Sequence, residues 1–253
     1  MIYFVGAGSG AEDLITVRGA RLLAEADVVI YAGSLVNKAL LNGTKPGCAL
    51  HDSAYMTLEE VVAVMERAER EGGMTVRLHT GDPSIYGAIR EQMDELARRG
   101  IAYDVVPGVS SLCGAAAALK AEYTLPGISQ TVIITRMAGR TPVPERESLR
   151  ALAHSGSTMV IFLSMSLIPE LTEELLQGAY TPDTPAAIVY KATWPDERVF
   201  RCTVGTLAET AREHRITKTA LITVGEFLGH DYERSKLYDP GFATEFRAKS
   251  DER

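Results

Sequence analysis

The sequence alternates short apolar runs with longer amphipathic segments, and this alternation constrains the fold more than any other feature. Predicted strands lie at residues 2–5, 28–31, 75–79 and 103–106, and the first two of these are continuous apolar runs. Segments with apolar residues at helical spacing follow them, at 16–24, 57–70, 89–99 and 110–121. Because strands that alternate with helices are typical of βαβ units, the first half of the chain is predicted to form a mostly parallel sheet.

Two of these helices have further signals. In the first, Val17, Ala20, Leu23 and Ala24 are predicted to form the apolar face. In the second, Thr57 and Glu60 have the spacing of a capping box, and a pair of glycines at 72–73 is predicted to end the helix.

The pattern stops at residues 123–127, YTLPG, and a second series then begins. Its predicted strands are 131–135, 159–163, 187–190, 198–203 and 220–224, and its predicted helices are 145–154, 168–177 and 206–214. The link between 187–190 and 198–203 is too short for a crossover helix, so that pair is predicted to be antiparallel and the second sheet mixed. We therefore predict an α/β fold of two α/β domains, residues 1–122 and 123–253.

The polar tail after Gly229 is expected either to dock on the surface by its aromatic rings or to be disordered.

The composition excludes several classes of protein. Hydrophobic residues make up 46% of the 253 residues and charged residues 23%, which is typical of a globular chain and not of a disordered or fibrous one. No apolar run has the length of a membrane span, and the first run lacks the length and the preceding basic residue of a signal peptide. We therefore expect a cytoplasmic protein without a membrane partner. A net charge of −7 gives no global electrostatic footprint for nucleic acid.

Metal chemistry is not indicated. Three cysteines, Cys48, Cys113 and Cys202, form no CxxC pair, so neither a disulfide framework nor a zinc site is predicted. None of the five histidines, His51, His79, His154, His214 and His230, is paired at ligand spacing.

Three loops at the ends of predicted strands have ligand-binding character. The turn GAGSGA at 6–11 fits the pattern of a dinucleotide fingerprint, but the second strand is not followed by the acidic residue that holds a ribose. The turn therefore also fits a tight strand-to-helix connection without a ligand. In HTGDP at 79–83, Asp82 is placed either to accept hydrogen bonds from a ligand or to form an Asp-Pro turn. In VPGVSS at 106–111, the serines either meet a ligand or cap a helix.

The order of these three loops resembles the tetrapyrrole methylase family, and the resemblance extends over almost the whole chain. Further matching segments are YAGSLV at 31–36, IITR at 133–136, GRTPVP at 139–144 and YKATWP at 190–195. These resemble the branch of the family that methylates C-11 of precorrin-4 or cobalt-precorrin-4 in cobalamin biosynthesis, and HDSA at 51–54 and SKLY at 235–238 favour the cobalt-containing substrate. The chain departs from the family's first loop, commonly GxGPGDPxL, at Ser9, Ala11 and Glu12, which is expected to loosen that loop.

The resemblance implies a methyltransferase that uses S-adenosylmethionine, releases S-adenosylhomocysteine and forms a homodimer, with its active site in a cleft between the two domains. The positions that match the family's cofactor site are Gly8, Thr80, Gly81, Asp82, Ile85, Tyr86, Ser110, Ser111, Leu163, Ala192, Thr219, Ala220 and Leu221. Asp82 is the only candidate for a catalytic side chain, and no general base is identified. A dedicated nucleophile is not needed, because methyl transfer from a sulfonium to a ring carbon depends mainly on orientation and desolvation.

The implied substrate, a tetrapyrrole with several carboxylate groups, needs basic partners. Arg136, Arg140 and Lys191 follow predicted strand ends and are the candidates, although each also fits a solvated surface charge. Trp194, the only tryptophan, either lines the substrate site or packs the hairpin turn between residues 187–190 and 198–203. Two other functions are consistent with the sequence. One is methylation of another precorrin carbon or of uroporphyrinogen, and the other is a carrier of corrinoid intermediates, which would lack affinity for the cofactor.

Overall fold

A computed structural model describes residues 1–229 and 232–247. Within it the chain divides into two compact units. The first contains Met1–Ala115 and a separate segment, Lys191–Glu197, and the second contains Ala116–Tyr190 and the described residues from Arg198 onward. The domain limits 1–122 and 123–253 remain a prediction, and the segment Lys191–Glu197 was not anticipated from the sequence.

The first unit is built on a five-stranded parallel sheet. Its strands are β1 (Ile2–Gly6), β2 (Val28–Tyr31), β3 (Ala49–Asp52), β4 (Thr75–His79) and β5 (Tyr103–Val106), in the spatial order β3-β2-β4-β1-β5. Every pairing is parallel, as the alternating pattern predicted. The sequence did not predict β3, because this edge strand is partly polar and Leu50 is exposed, so no apolar run marks it.

Four helices belong to this part of the chain: α1 (Val17–Glu25), α2 (Leu58–Arg70), α3 (Arg90–Arg98) and α4 (Ser111–Leu119). The predicted capping box of α2 is present in both directions. The predicted apolar face of α1 is confirmed only at Leu23, because Val17, Ala20 and Ala24 are exposed and the helix buries Gly19 and Leu22 beside Leu23.

The sheet has a separate apolar core on each face. Val5, Val29, Val76 and Leu78 pack with Leu22 and Leu23 of α1 on one side. On the other side, Ile2, Phe4 and Ile30 pack with residues of α2 and α3, namely Val61, Met65 and Leu96. Since side chains alternate along a strand, these two cores fix which residues of each strand face which layer of helices.

The second unit contains a mixed sheet, also as predicted. Its strands are β6 (Val132–Arg136), β7 (Thr158–Phe162), β8 (Pro185–Tyr190), β9 (Arg198–Thr203) and β10 (Ala220–Val224), in the order β6-β7-β10-β8-β9. Only β6 and β7 run parallel, and β8 pairs with β9 in the predicted antiparallel arrangement. The helices are α5 (Leu149–Ala153), α6 (Ile168–Leu176) and α7 (Leu207–Glu213). The helix predicted at 145–154 is shorter, because Ser148 caps α5 after a 3₁₀ turn at Glu145–Glu147.

The second unit has its own core and ends in an exposed tail. Met159, Ile161, Leu171, Leu175, Ile188 and Ile222 are among its buried residues. Of the four rings expected to dock the tail, Tyr232, Tyr238 and Phe246 are more than 60% exposed, so docking is wrong for these three, whereas Phe242 is 40% exposed. Residues 230, 231 and 248–253, including His230, lie outside the described residues.

Within residues 1–229 and 232–247, no helix has the length and apolar character needed to cross a bilayer. The same residues contain no group of three potential metal-ligating side chains. The three cysteines are free thiols.

Strand β4 carries two buried basic side chains, Arg77 and His79. Arg77 donates from Nε to Gln92 Oε1 at 3.0 Å and from Nη1 to the carbonyl of Ile30 at 3.2 Å. His79 is 3% exposed, and its Nε2 has no hydrogen-bond partner among the described residues. Burial, assisted by the positive charge of Arg77, lowers the pKa of His79 to about 3. His79 is therefore neutral in the folded protein at neutral pH.

This burial makes the folded protein sensitive to mild acid. Because the pKa of His79 is lower in the folded than in the unfolded chain, its contribution to stability is complete above about pH 6.5 and is lost as the pH falls towards 3. Between about pH 7.5 and pH 5.5, we expect His79 to account for a loss of roughly 1.4 kcal/mol in the free energy of unfolding. Urea denaturation at both pH values should show this loss in the wild type but not in the variant His79→Gln. The control His154→Gln, at an exposed imidazole, should keep it, and equal losses in all three proteins would contradict the assignment.

Candidate functional site

Two of the three sequence motifs meet at the carboxyl edge of the first sheet. Strands β4 and β1 are neighbours there, so the loops that follow them are adjacent. The amide of Gly8 donates to the carbonyl of Gly81 at 3.3 Å, and the amide of Gly81 donates to the carbonyl of Gly8 at 2.9 Å. The turn at 6–11 and the loop at 79–83 are therefore joined by their backbones.

Glycines allow the loop after β5 to approach the same point. A Cβ atom on Gly6 would lie 2.5 Å from Gly108 Cα, and one on Gly108 would lie 2.2 Å from the carbonyl oxygen of Gly81. Gly81 also has a φ of +62°, in the left-handed region that favours glycine. The third motif, VPGVSS, thus joins the other two because no side chain separates the three loops.

Asp82 holds together the junction of the three loops, residues 6–11, 79–83 and 106–111. Its Oδ1 accepts hydrogen bonds from the amide of Ser84 at 2.8 Å and from the Ser84 hydroxyl, and its Oδ2 accepts one from the amide of Gly108 at 2.8 Å. Burial by itself raises the pKa of Asp82, but the hydrogen bonds from Ser84 and Gly108 together outweigh it and hold the pKa below its ordinary value. Asp82 forms the Asp-Pro turn that the sequence left open, and a ligand contact from its carboxylate remains a prediction.

The start of α4 lies beside this junction. Ser110 precedes the helix and its hydroxyl accepts a hydrogen bond from the amide of Leu112 at 3.4 Å, the arrangement of a helix cap. A Cβ atom on Gly81 would lie 3.4 Å from both Ser110 Cα and the backbone nitrogen of Ser111. Thr80, which precedes Gly81, has a buried hydroxyl with no hydrogen-bond partner among the described residues. A polar ligand at this point would find an unsatisfied hydroxyl near the positive end of a helix.

The connection from β4 to α3 is tightly folded and strained. Tyr86 and Ala88 have φ values of +54° and +49°, which are uncommon for residues other than glycine. Between them, Gly87 leaves no room for a side chain, because a Cβ atom would lie 2.1 Å from the carbonyl oxygen of Pro83. The predicted cofactor residues Ile85 and Tyr86 both lie in this connection, and Tyr86 is 44% exposed. Strain of this kind is concentrated at functional sites.

The turn at 9–11 is held by the segment Lys191–Glu197. The hydroxyls of Ser9 and Thr193 are hydrogen-bonded at 3.0 Å, and the indole nitrogen of Trp194 donates to the carbonyl of Ser9 at 3.1 Å. Ser9 departs from the family pattern, but its hydroxyl and its carbonyl are both hydrogen-bonded, so the turn is supported. The ring of Trp194 contacts Lys191 of its own hairpin turn and also packs on the turn at 9–11, and a role in lining the substrate site remains a prediction. Ala192, another predicted cofactor residue, is buried in the same segment.

In the second unit, the remaining candidates meet at one edge of the mixed sheet. Arg136 ends β6, Leu163 follows β7, and Thr219 precedes β10, which runs antiparallel to β7. Leu163 and Thr219 have φ values of +52° and +57°, and Leu163 is 66% exposed. Ala220 and Leu221 begin β10, and Leu221 is buried, so a ligand contact from Leu221 remains a prediction.

The three basic candidates differ in what their charges already contact. Arg136 donates to the carbonyls of Met137, Thr141 and Pro142 at 2.8–3.2 Å and so closes the loop that contains Arg140. Lys191 Nζ lies 2.6 Å from Asp196 Oδ2 and over the ring of Trp194. Arg140 is exposed and has no hydrogen bond or ion pair within the described residues. Of the three, only Arg140 is placed to offer its whole guanidinium group to a substrate.

Comparison with known proteins identifies the family. Residues 1–208 match the tetrapyrrole (corrin/porphyrin) methylases. The chain belongs to the tetrapyrrole methylase family. The resemblance drawn from the sequence motifs is therefore confirmed.

Individual members of the family are similar over nearly the full length. The cobalt-precorrin-4 C(11)-methyltransferase of Methanocaldococcus jannaschii is 53% identical over 97% of this chain and 95% of that protein. The X-ray structure of a cobalt precorrin-4 methyltransferase, a cobalamin biosynthetic enzyme, has a TM-score of 0.89 at 49% identity and covers 90% of this chain and 96% of its own. A uroporphyrin-III C-methyltransferase from Thermus thermophilus, complexed with S-adenosylhomocysteine, has a TM-score of 0.75 at 28% identity and covers 90% and 93%.

Sequence reasoning missed the roles of two residues in this tetrapyrrole methylase. Thr193 lies in the quoted segment YKATWP, but nothing in that pattern indicates that its hydroxyl reaches the turn at 9–11. Ser84 was not singled out, although its position two residues after an aspartate is a signal for an Asx turn that could have found it.

The junction predicts a specific defect for Asp82→Ala. The change removes the acceptor for the amide of Gly108 and for Ser84, so we expect a loss of about 1–3 kcal/mol in the free energy of unfolding. Chemical denaturation measures this loss. The control Asp94→Ala removes an exposed carboxylate paired with Arg90 on α3 and should cost at most about 0.5 kcal/mol. Equal stabilities for the two variants would show that Asp82 does not fasten the loops.

Proposed function

We propose that this tetrapyrrole methylase transfers a methyl group from S-adenosylmethionine to C-11 of cobalt-precorrin-4 in cobalamin biosynthesis. The observation that carries the proposal is the 53% identity, over 97% of the chain, to a cobalt-precorrin-4 C(11)-methyltransferase. The solved structure with a TM-score of 0.89 is named for the same substrate class. Precorrin-4 without cobalt is the alternative that the experiment below separates.

The loop junction of the first unit fits a ligand such as S-adenosylmethionine. When bound, this cofactor supplies a methyl group on a positively charged sulfur, which departs as a neutral thioether during in-line attack by a ring carbon. The unsatisfied hydroxyl of Thr80 offers a hydrogen bond, and the first amides of α4 favour a carboxylate. Gly8, Gly81, Asp82, Ile85, Tyr86, Ser110 and Ser111 are the other first-unit residues proposed to hold the cofactor.

Further cofactor contacts are proposed from the family resemblance. They involve Leu163, Ala192, Thr219, Ala220 and Leu221. The left-handed φ values of Leu163 and Thr219 support a role for these positions, because such strain persists only where the surrounding structure enforces it.

Methyl transfer requires little of the protein beyond positioning the methyl donor and the acceptor carbon. The oxygens of Asp82 already accept hydrogen bonds from Ser84 and Gly108, which hold its pKa below the ordinary value and make its carboxylate a weaker base. We therefore assign Asp82 to holding the loops and not to removing a proton. The protein contributes by fixing the donor and the acceptor carbon in line and by excluding water from them.

The carboxylate arms of the substrate are proposed to meet Arg136, Arg140 and Lys191. Arg140 makes the direct contact, because its guanidinium has no partner in residues 1–229 and 232–247 and can accept a carboxylate in a bidentate pair. Arg136 maintains the shape of the loop around Arg140 through its three carbonyl contacts.

We also propose that the enzyme acts as a homodimer in the cytoplasm, as the family resemblance implies. The three free thiols are consistent with a reducing compartment. Light scattering on the purified protein should give twice the chain mass of 27.4 kDa, and a mass of 27.4 kDa would contradict the dimer.

The proposed reaction is tested by parallel incubation with cobalt-precorrin-4, precorrin-4 and uroporphyrinogen III, each with S-adenosylmethionine. Mass spectrometry of the products should show one added methyl group, fastest on cobalt-precorrin-4, and nuclear magnetic resonance should place it at C-11. Methylation of uroporphyrinogen alone would assign the chain to a different reaction of the family. A protein that binds tetrapyrrole but not S-adenosylmethionine would be a carrier.

S-adenosylhomocysteine should stabilise the protein against heat. It shares nearly all the contacts of the donor and lacks only the methyl group and its charge. At 100 times its dissociation constant, it should add about 2.7 kcal/mol to the free energy of unfolding. Differential scanning calorimetry with increasing S-adenosylhomocysteine measures the shift, and adenosine alone serves as the weaker control. An unchanged melting temperature at saturation would contradict the proposed cofactor.

Replacement of Arg140 by alanine should raise KM for the tetrapyrrole more than it lowers kcat. A contact with a carboxylate arm is equally strong in the ground state and the transition state, so its loss weakens binding and not the chemical step. An exposed pair predicts a rise in KM of up to about fivefold, and a desolvated bidentate pair predicts tenfold or more. The control Arg146→Ala, at a nearby exposed arginine, should leave both constants unchanged. A collapse of kcat with KM unchanged would place Arg140 at the reacting atoms instead.

A further inference from the structure

The segment Lys191–Glu197 connects β8 to β9 but packs with the first unit. Internal hydrogen bonds fix its shape: the amide of Thr193 donates to Glu197 Oε2 at 2.6 Å, and the amide of Trp194 donates to the carbonyl of Lys191 at 3.0 Å. Thr193 has a φ of +67°, a genuine outlier for a β-branched residue. This conformation places its hydroxyl against the turn at 9–11.

The Thr193 hydroxyl makes two contacts with that turn. It accepts a hydrogen bond from the amide of Ala11 at 3.1 Å and shares one with the Ser9 hydroxyl at 3.0 Å. The indole nitrogen of Trp194 donates to the carbonyl of Ser9, and Asn37 Nδ2 donates to the carbonyl of Gly10 at 2.9 Å. Much of the polar backbone of the turn is therefore held by the protein itself.

Two glycines show how closely the segment and the turn are packed. A Cβ atom on Gly10 would lie 2.1 Å from Trp194 Cδ1. On α4, a Cβ atom on Gly114 would lie 2.8 Å from the Ser9 hydroxyl and 3.3 Å from Thr193 Cγ2. Ser9 itself is only 4% exposed. The turn thus has little space to move as long as Thr193 and Trp194 are in place.

The turn leads directly into the proposed cofactor loops. Gly8 precedes Ser9 and exchanges two backbone hydrogen bonds with Gly81, whose neighbour Asp82 holds the amide of Gly108. A displacement of Ser9 therefore acts on the position of Gly8 and, through it, on the loop after β4.

We propose that Thr193 is a positioning residue for the methyl donor. Its hydroxyl orders the turn at 9–11, and this order sets the affinity of the neighbouring loops for S-adenosylmethionine. Thr193 acts through Ser9 and Ala11 without touching the reacting atoms. The inference rests on the proposed use of S-adenosylmethionine, but it does not depend on which tetrapyrrole is methylated.

The test combines variants with the fluorescence of Trp194, which is the only tryptophan and lies in the segment itself. In Thr193→Val, the hydroxyl is lost with little change of volume, so we expect the dissociation constant of S-adenosylhomocysteine to rise about tenfold, measured by calorimetry. Trp194 emission should shift to longer wavelength as the indole becomes more exposed to water. Thr193→Ser restores the hydroxyl and should return both quantities to within about twofold of the wild type. The matched control Thr172→Val removes a hydroxyl from α6 and should change neither.

Ser9→Ala keeps the test decisive if Thr193→Val does not fold. This change removes only the hydroxyl partner of Thr193 and should raise the dissociation constant by a smaller factor, about threefold. Wild-type affinity and wild-type Trp194 emission in folded Ser9→Ala, and in Thr193→Val where it folds, would overturn the inference.

A wild-type protein that does not bind S-adenosylhomocysteine would overturn it together with the proposed cofactor. A wild-type protein that binds S-adenosylhomocysteine but does not methylate C-11 would overturn only the proposed reaction, because the comparison of affinities would still stand.

Discussion

The close approach of Gly6, Gly81 and Gly108 is the constraint on which the rest of the first unit depends. Backbone atoms occupy the positions that a Cβ atom would need on Gly6 and Gly108, so the loops after β1, β4 and β5 pack directly against one another. Only then does Asp82 reach the amide of Gly108, and only then does Gly81 lie beside the first residues of α4. The hydrogen bonds of the junction follow from this packing and do not create it.

Most of the fold could be predicted from hydrophobic periodicity, and the exceptions have physical causes. Nine strands were found because most are buried and read as apolar runs. The tenth, β3, is partly polar and its Leu50 is exposed, so no apolar run marks it, although the other edge strands β5, β6 and β9 were found. The face of α1 was correct at Leu23 but wrong at Val17, which is exposed, because the helix packs with Gly19 against Val5.

The candidate site was predictable as a set of positions but not as a set of contacts. Loop motifs and family resemblance located Gly8, Gly81 and Asp82, and the structure joins these residues. The motifs and the resemblance could not show which charged side chains already have hydrogen-bond partners within the protein. Arg136 and Arg140 look alike in sequence, yet the guanidinium of Arg136 is bound to three carbonyls of its own loop. Spacing along a chain carries no information about such contacts, because they depend on how a loop folds back on itself.

The contacts between the turn at 9–11 and the segment Lys191–Glu197 join residues 182 to 185 positions apart in the chain. During synthesis on the ribosome, 184 residues are added after Ser9 before Thr193 exists, and 185 before Trp194 exists. Contacts of such long sequence separation form slowly, since a large loop must close before they contribute any stability. The turn at 9–11 therefore cannot reach its final conformation before the segment Lys191–Glu197 has been translated.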